Sequence, residues 1–81
     1  MTSQAVRTPM QLARLLNGQR KERGLSQKKA AAKVGMAPKT ISALENHPDG
    51  STIASLFKLL SALDLEILLQ QKLHVEDKEL W

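Results

Sequence analysis

Residues 26–46 have the sequence SQKKAAAKVGMAPKTISALEN, and they decide the fold of this 81-residue chain. Ser26 is a candidate helix N-cap, and the alanine- and lysine-rich segment 27–34 predicts a helix of two turns. Gly35 ends that helix, because glycine accepts the positive φ that a helix C-terminus often requires. After a three-residue corner, residues 38–46 predict a second short helix with a proline in its first turn, where proline is tolerated.

Two short helices joined by a tight corner are typical of the helix-turn-helix, whose second helix lies in the major groove of DNA. Ala31 is small, which lets the two helices approach closely. The apolar residues expected on the inner faces are Val34, Met36, Ile41 and Leu44. The residues left exposed on the second helix are Ala37, Pro38, Lys39, Thr40, Ser42 and Ala43.

A further helix is predicted on each side of this pair. Thr8 is the expected N-cap of the first, with Pro9 at its first position and Gln11 placed to return the capping-box bond. This helix has a core stripe at Leu12, Leu15 and Leu16 and ends at Gly24.

The fourth helix follows a loop at residues 46–50, which is dense in turn-forming residues. Thr52 is its expected N-cap. Its apolar residues have the helical spacing of one buried face, and they are Ile53, Leu56, Phe57, Leu60 and Leu63. The 14 leucines and nine alanines, against three valines and three isoleucines, also favour an all-α fold.

Residues 65–73 are ambiguous between strand and helix. As a strand, one face holds Leu65, Ile67, Leu69 and Leu73 with one polar residue, whereas the helical stripe omits Ile67 and includes Lys72. A strand is favoured, but the chain offers no second strand to pair with it. The partner strand would then come from a second copy across a two-fold axis.

The length allows one small domain and excludes a multi-domain enzyme. The net charge of +4 is uneven: residues 1–46 contribute +7 and residues 47–81 contribute −3. A basic segment of this kind is typical of proteins that bind polyanions. The absence of cysteine excludes disulfides and thiolate chemistry and is compatible with the cytoplasm, and no apolar run is long enough to cross a membrane.

The helix pair resembles the helix-turn-helix family of phage Cro and repressor proteins, known as the XRE class. The matching residues are Gln27, Ala31, Gly35, Ile41, Ser42 and Glu45. The resemblance extends over about residues 9–63 and implies a four-helix, lambda-repressor-like domain. It also implies that Gln27 contacts a phosphate and braces the second helix, and that Arg20 and Glu45 form a buried ion pair.

Two residues depart from that family. Pro38 and Ala43 stand where members that contact bases often have Gln or Asn. Direct contact with bases is therefore expected to depend on Lys39, assisted by Ser42 and Thr40, with Ala43 limited to a thymine methyl group. The residues expected to contact DNA are Gln27, Lys28, Ala37, Pro38, Lys39, Thr40, Ser42, Ala43, Asn46 and Thr52.

A narrower resemblance is to the HipB-type antitoxins. It rests on the N-x-P-D turn at residues 46–49, on one strand in place of a fifth helix, and on a charged tail that ends in Leu80-Trp81. It implies dimerisation through the strand, here by Leu65, Ile67 and Leu69, repression of the protein's own operon, and neutralisation of a HipA-type kinase toxin. The acidic tail would repel DNA, so Leu80 and Trp81 are expected to contact the protein partner.

The expected organisation is an N-terminal arm at residues 1–8, a domain at residues 9–73 and a charged tail at residues 74–81. We expect a homodimeric operator-binding repressor and antitoxin, without a cofactor, metal or catalytic site. His47 and His74 are isolated from other ligand or catalytic residue types. Two alternatives are a Cro-like repressor without a toxin partner and an enzyme-inhibiting module with vestigial DNA binding.

Overall fold

The computed structural model describes residues 3–72, and all of its regular secondary structure is helical. The order of elements is α1 (Pro9–Glu22), α2 (Gln27–Val34), α3 (Pro38–Asn46), a 3-10 turn (Pro48–Gly50) and α4 (Ile53–Ala62). The four predicted helices are confirmed, and the turn-rich loop at residues 46–50 contains the 3-10 turn. No helix in the described part of the chain is long and apolar enough to cross a membrane.

Local sequence signals define the helix ends. Thr8, Ser26 and Thr52 each accept a hydrogen bond from the backbone N–H three residues later. The predicted capping box in α1 is only half formed, because the Gln11 side chain accepts from the Arg7 N–H at 2.7 Å and not from that of Thr8. The N-cap side chains therefore explain where three of the four helices begin.

The corner between α2 and α3 depends on Gly35. This residue is left-handed, with φ 66° and ψ 37°, and its N–H donates to the Ala31 carbonyl. The Met36 N–H donates to the same carbonyl at 2.9 Å. The corner directs the chain into α3, which packs against both α1 and α2.

The core lies where the four helices meet. Its fully buried large side chains are Leu16, Ile41, Leu59 and Leu63. Ala30 and Ala31 are also buried, and small residues at these positions allow the close packing of α2 against α3 and α4. Leu12, Met36 and Leu65 are partly buried and pack against this cluster.

The predicted buried face of α4 is wrong at two positions. Ile53 is 74% exposed and Phe57 is 54% exposed, whereas Leu59, outside the predicted stripe, is fully buried. The residues that face inward are Leu56, Leu59, Leu60 and Leu63, and these four also have helical spacing. Both stripes fit one helix, and packing against α2 and α3 selects the second.

Residues 65–72 have neither helical nor strand structure within the single chain. Leu65 packs against the core, but Ile67, Leu68 and Leu69 are exposed, Leu69 to 93%. The helical alternative is therefore not observed in this stretch. A strand that pairs with a second copy would have no inter-strand hydrogen bonds in a single chain, so this pairing stays a prediction.

Replacing Gly35 by alanine is expected to lower the free energy of unfolding by about 1–2 kcal/mol. There is open space for a methyl group at this position, so the cost comes from the positive φ alone. Gly18→Ala is the matched control, because Gly18 lies inside α1 with equally open surroundings. It should raise the free energy of unfolding by about 0.5–1 kcal/mol. Urea denaturation measures both, and equal effects of the same sign would contradict this account of the corner.

Candidate nucleic-acid interface

An ion pair between α1 and α3 fixes the orientation of the candidate recognition helix. Arg20 Nε lies 2.7 Å from Glu45 Oε2, and Arg20 Nη2 donates to Glu45 Oε1 at 3.0 Å. Both residues are buried. This two-bond geometry constrains direction as well as distance, so α3 is held in one rotation relative to α1.

The carboxylate of Glu45 receives two more hydrogen bonds. Asn17 Nδ2 donates to Oε1 at 2.8 Å, and Gln27 Nε2 donates to the same oxygen at 3.2 Å. Arg20 also donates from Nη1 to the Leu25 carbonyl, in the connection between α1 and α2. Glu45 therefore ties α3 to α1 and to the start of α2.

Sequence reasoning missed Asn17 in this network. It lies three residues before Arg20, and that spacing places the two side chains on the same face of α1. This spacing could have identified Asn17, but an asparagine beside a glycine in a helix is as readily interpreted as an ordinary exposed polar residue. The Leu25 carbonyl had no sequence signal, because a backbone acceptor is independent of residue type.

The pKa values of the pair follow from this environment. Burial alone would raise the pKa of Glu45, but the hydrogen bonds from Arg20, Asn17 and Gln27 outweigh it and hold that pKa below its ordinary value. The hydrogen bond to Glu45 raises the pKa of Arg20 against the opposing effect of burial. Both groups are thus held in their charged forms.

We expect this network to stabilise the fold less as the pH falls. Because the folded-state pKa of Glu45 is lowered, its contribution is complete above the ordinary value of about 4.5 and is lost as the pH falls through the folded-state pKa. The double variant Arg20→Met with Glu45→Leu removes that contribution without leaving an unpaired buried charge. The difference in free energy of unfolding between the wild type and this variant should be constant above about pH 5.5 and should shrink below about pH 4.5.

Urea denaturation at a series of pH values measures this difference. Glu22→Gln is the matched control, because Glu22 is an exposed carboxylate on α1 outside the network. A difference that stays constant down to pH 3 would contradict the assignment of the pKa shift to Glu45.

Most of the outer face of α3 is exposed to solvent. Ala37, Pro38, Lys39 and Ala43 are exposed, and Thr40 and Ser42 are half-buried. The structure therefore brings these six predicted residues together on one surface, on the side of α3 away from Ile41 and Leu44. We call this surface the α3 outer face. Lys39 has no carboxylate partner among residues 3–72.

Three other predicted contact residues already have partners within the protein. Thr52 caps α4: its hydroxyl oxygen accepts from the Ser55 N–H at 3.1 Å, and the hydroxyl donates to Ser55 Oγ. Asn46 Nδ2 donates to the Ser42 carbonyl and to Ser42 Oγ. Gln27 uses one amide proton on Glu45, and its second amide proton has no acceptor among residues 3–72. Lys28, beside Gln27, is exposed.

The three residues predicted for dimerisation lie in the segment that follows α4. Leu65 is half-buried, while Ile67 and Leu69 are exposed. Leu80 and Trp81 lie outside the described residues, as do the rest of the tail and Leu73. No cluster of His, Cys, Asp or Glu within residues 3–72 has the arrangement to hold a metal ion.

Comparison with known proteins identifies the family. The helix-turn-helix family model matches residues 16–70. The chain is 38% identical over 69 residues to the antitoxin HipB of Escherichia coli strain K12, which covers 85% of this chain and 78% of that protein. It is 36% identical over 69 residues to the antitoxin HipB of Escherichia coli O6:H1, covering 85% and 73% of the two chains.

Solved structures give the same result. HipB in a HipB–O4 20mer complex has a TM-score of 0.83 and 36% identity, covering 85% of this chain and 97% of that chain. A HipA–HipB–O2–O3 complex contains a chain with the same four values. These relatives are antitoxins and not enzymes. The protein described here therefore belongs to the HipB antitoxins of the helix-turn-helix family.

Proposed function

We propose that this protein is a homodimeric transcriptional repressor that binds a palindromic operator and neutralises a HipA-type kinase toxin. Its membership of the HipB family supports this, as do solved complexes of similar chains with a 20mer and with HipA. The observation that supports it most directly is the α3 outer face. It is exposed and backed by a buried ion pair that fixes its direction.

The α3 outer face has the chemistry of a major-groove surface with few base contacts. Lys39 can donate to guanine, Thr40 and Ser42 offer hydroxyl groups, and Ala43 can contact a thymine methyl group. Ala37 and Pro38 are small enough to let the helix approach the duplex. Because so few side chains can distinguish bases, sequence-dependent DNA shape should contribute to specificity.

Phosphate contacts would surround that surface. The spare amide proton of Gln27 and the exposed Lys28 lie at the start of α2, where free backbone N–H groups also favour an anion. At the start of α4 the Thr52 hydroxyl is used as a cap, so a phosphate there would bind backbone N–H groups. These contacts would fix the register of the protein on the duplex.

Dimerisation is proposed through residues 65–73. Leu65, Ile67 and Leu69 alternate along this segment, and the last two are exposed in the single chain. Pairing with a second copy would satisfy the backbone groups of the segment and cover this apolar surface. A two-fold dimer would place two copies of α3 about 34 Å apart, which matches adjacent major grooves and a palindromic operator.

The toxin contact is proposed for the tail, with Leu80 and Trp81 as its apolar anchors. A large aromatic side chain at the end of an acidic segment suits a pocket on a protein surface better than it suits DNA. A repressor with these two partners would act in the cytoplasm.

Two binding measurements on one variant test whether the tail binds the kinase while the helical domain binds DNA. Deleting Leu80 and Trp81 should weaken binding to a HipA-type kinase that the full chain binds by at least about tenfold, the effect expected for a buried aromatic anchor. Binding to a fragment of the protein's own promoter should stay within about twofold, because phosphate and base contacts are made elsewhere. Unchanged kinase binding would overturn the role of the tail. If the wild-type protein binds promoter and random DNA equally, the proposed repressor function is wrong.

A further inference from the structure

The contact between Asn46 and Ser42 determines what the middle of α3 can offer to DNA. Asn46 Nδ2 lies 2.9 Å from the Ser42 carbonyl oxygen and 3.2 Å from Ser42 Oγ. An amide NH₂ can only donate hydrogen bonds. In this contact the Ser42 hydroxyl oxygen is therefore the acceptor.

The hydroxyl proton of Ser42 is left without a partner. A serine hydroxyl has one proton to donate, and inside a helix that proton often goes to a carbonyl of the preceding turn. No group among residues 3–72 accepts it here; the hydrogen bonds of the Ser42 side chain within this part of the protein consist of the one it receives from Asn46. Ser42 is half-buried on the α3 outer face, so its proton can reach an acceptor on the duplex.

The side-chain nitrogen of Asn46 is already bonded to Ser42, so Asn46 is poorly placed to contact a base. A bidentate contact to adenine requires an amide N–H and the amide oxygen of the same side chain. Both contacts of Asn46 Nδ2 are made to Ser42, which lies one helical turn earlier. This geometry suits a residue that positions a neighbour better than one that contacts a base by itself.

We propose that Asn46 fixes the polarity of Ser42, so that α3 presents the Ser42 hydroxyl to the operator as a hydrogen-bond donor. This rests on the proposed repressor function and names one element of its specificity. The base opposite Ser42 must then present an acceptor, which is guanine N7 or O6, adenine N7 or thymine O4. Cytosine is disfavoured there, because its major-groove edge offers the N4 donor and no acceptor for the hydroxyl proton; to meet that donor with its second lone pair, Ser42 would have to turn the proton away from the duplex.

The test is a base-preference profile. A library of random duplexes is selected on the wild-type protein, and each position of the resulting half-site is then varied for the wild type, Ser42→Ala, Asn46→Ala and the double variant. Ser42→Ala and Asn46→Ala should both reduce the preference at the same single position by about two- to tenfold, the value of one hydrogen bond. The double variant should reduce it no further than either single variant does.

Asn46→Asp is the sharpest variant, because it has the same shape and the opposite polarity. A carboxylate only accepts, so the Ser42 hydroxyl would donate inward and present its lone pairs to the duplex. The variant should lose the discrimination against cytosine at that position, because the cytosine N4 donor can then meet a lone pair of Ser42 Oγ. The added charge weakens binding to all sequences, and the profile compares bases within one variant.

Three results would overturn the proposal. In the first, Asn46→Ala keeps the preference that Ser42→Ala removes. In the second, Asn46→Asp keeps the wild-type discrimination against cytosine. In the third, either alanine variant reduces the preference at every position, which would mean that α3 as a whole had moved. A wild type without preference at any position would overturn the repressor function itself, and this inference with it.

Discussion

Glu45→Ala is expected to leave most of the protein unfolded at 25 °C. The substitution removes the counter-charge of the buried Arg20 guanidinium and the shared acceptor of Asn17 and Gln27. Breaking a buried pair from one side costs about 3–5 kcal/mol, because the remaining charge is uncompensated. A single core in a chain of this size supplies only about 3–5 kcal/mol. Circular dichroism with urea titration, at one fixed protein concentration, measures the change in stability.

The double variant Arg20→Met with Glu45→Leu is the control. It removes both charges and fills their space with apolar side chains, a replacement that is often neutral or stabilising. We expect it to recover most of the stability that Glu45→Ala removes. If the double variant is as unstable as the single one, the uncompensated charge is not the cause. If Glu45→Ala is as stable as the wild type, the network does not hold α3 in place.

The affinity for operator DNA is expected to fall at least about a thousandfold between 50 and 200 mM salt. Residues 1–46 have a net charge of +7, and a dimer brings two such segments to the duplex. A protein that neutralises about six to ten phosphates binds about 10³–10⁵ times more weakly at the higher salt concentration, because it releases condensed counterions. Fluorescence anisotropy with labelled operator DNA at several salt concentrations gives the slope.

Two lysine variants locate this salt dependence. Lys28→Ala should lower the slope of log affinity against log salt, by about 0.9 for each phosphate that Lys28 neutralises in the wild type. Lys58→Ala removes the same charge from the exposed surface of α4, outside the helix pair, and should leave the slope unchanged. A wild-type affinity that falls less than tenfold over the range would show that phosphate contacts are not its main source.

The helices that form the interface were predictable because their limits are set locally. Ser26 and Gly35 delimit α2 by a side-chain cap and a positive φ, and Pro38 begins α3. Such signals act within one turn, so the sequence alone is sufficient. The pairing of Arg20 with Glu45, implied by resemblance to the Cro and repressor proteins, also corresponds to a contact in the structure.

Features that depend on packing between helices were not predictable in the same way. The exposure of Ile53 and Phe57 was missed because α4 has two overlapping apolar stripes, and the surrounding helices cover only one. The hydrogen bonds from Asn46 to Ser42 lie within α3 and were missed for another reason: an asparagine at the end of a helix has several equally good partners. The pairing of residues 65–73 with a second copy stays a prediction, because a single chain cannot show a contact between two copies.

The claim that the α3 outer face enters the major groove is tested most directly by Ala43→Glu. Ala43 lies on that face, and Ala32→Glu places the same charge on the exposed side of α2, opposite the buried Ala30 and Ala31. We predict that Ala43→Glu weakens binding to the protein's own promoter DNA by at least about a hundredfold, because an acid would meet a polyanion in a closed groove. Ala32→Glu should stay within about tenfold of the wild type, and equal effects of the two variants would contradict the claim.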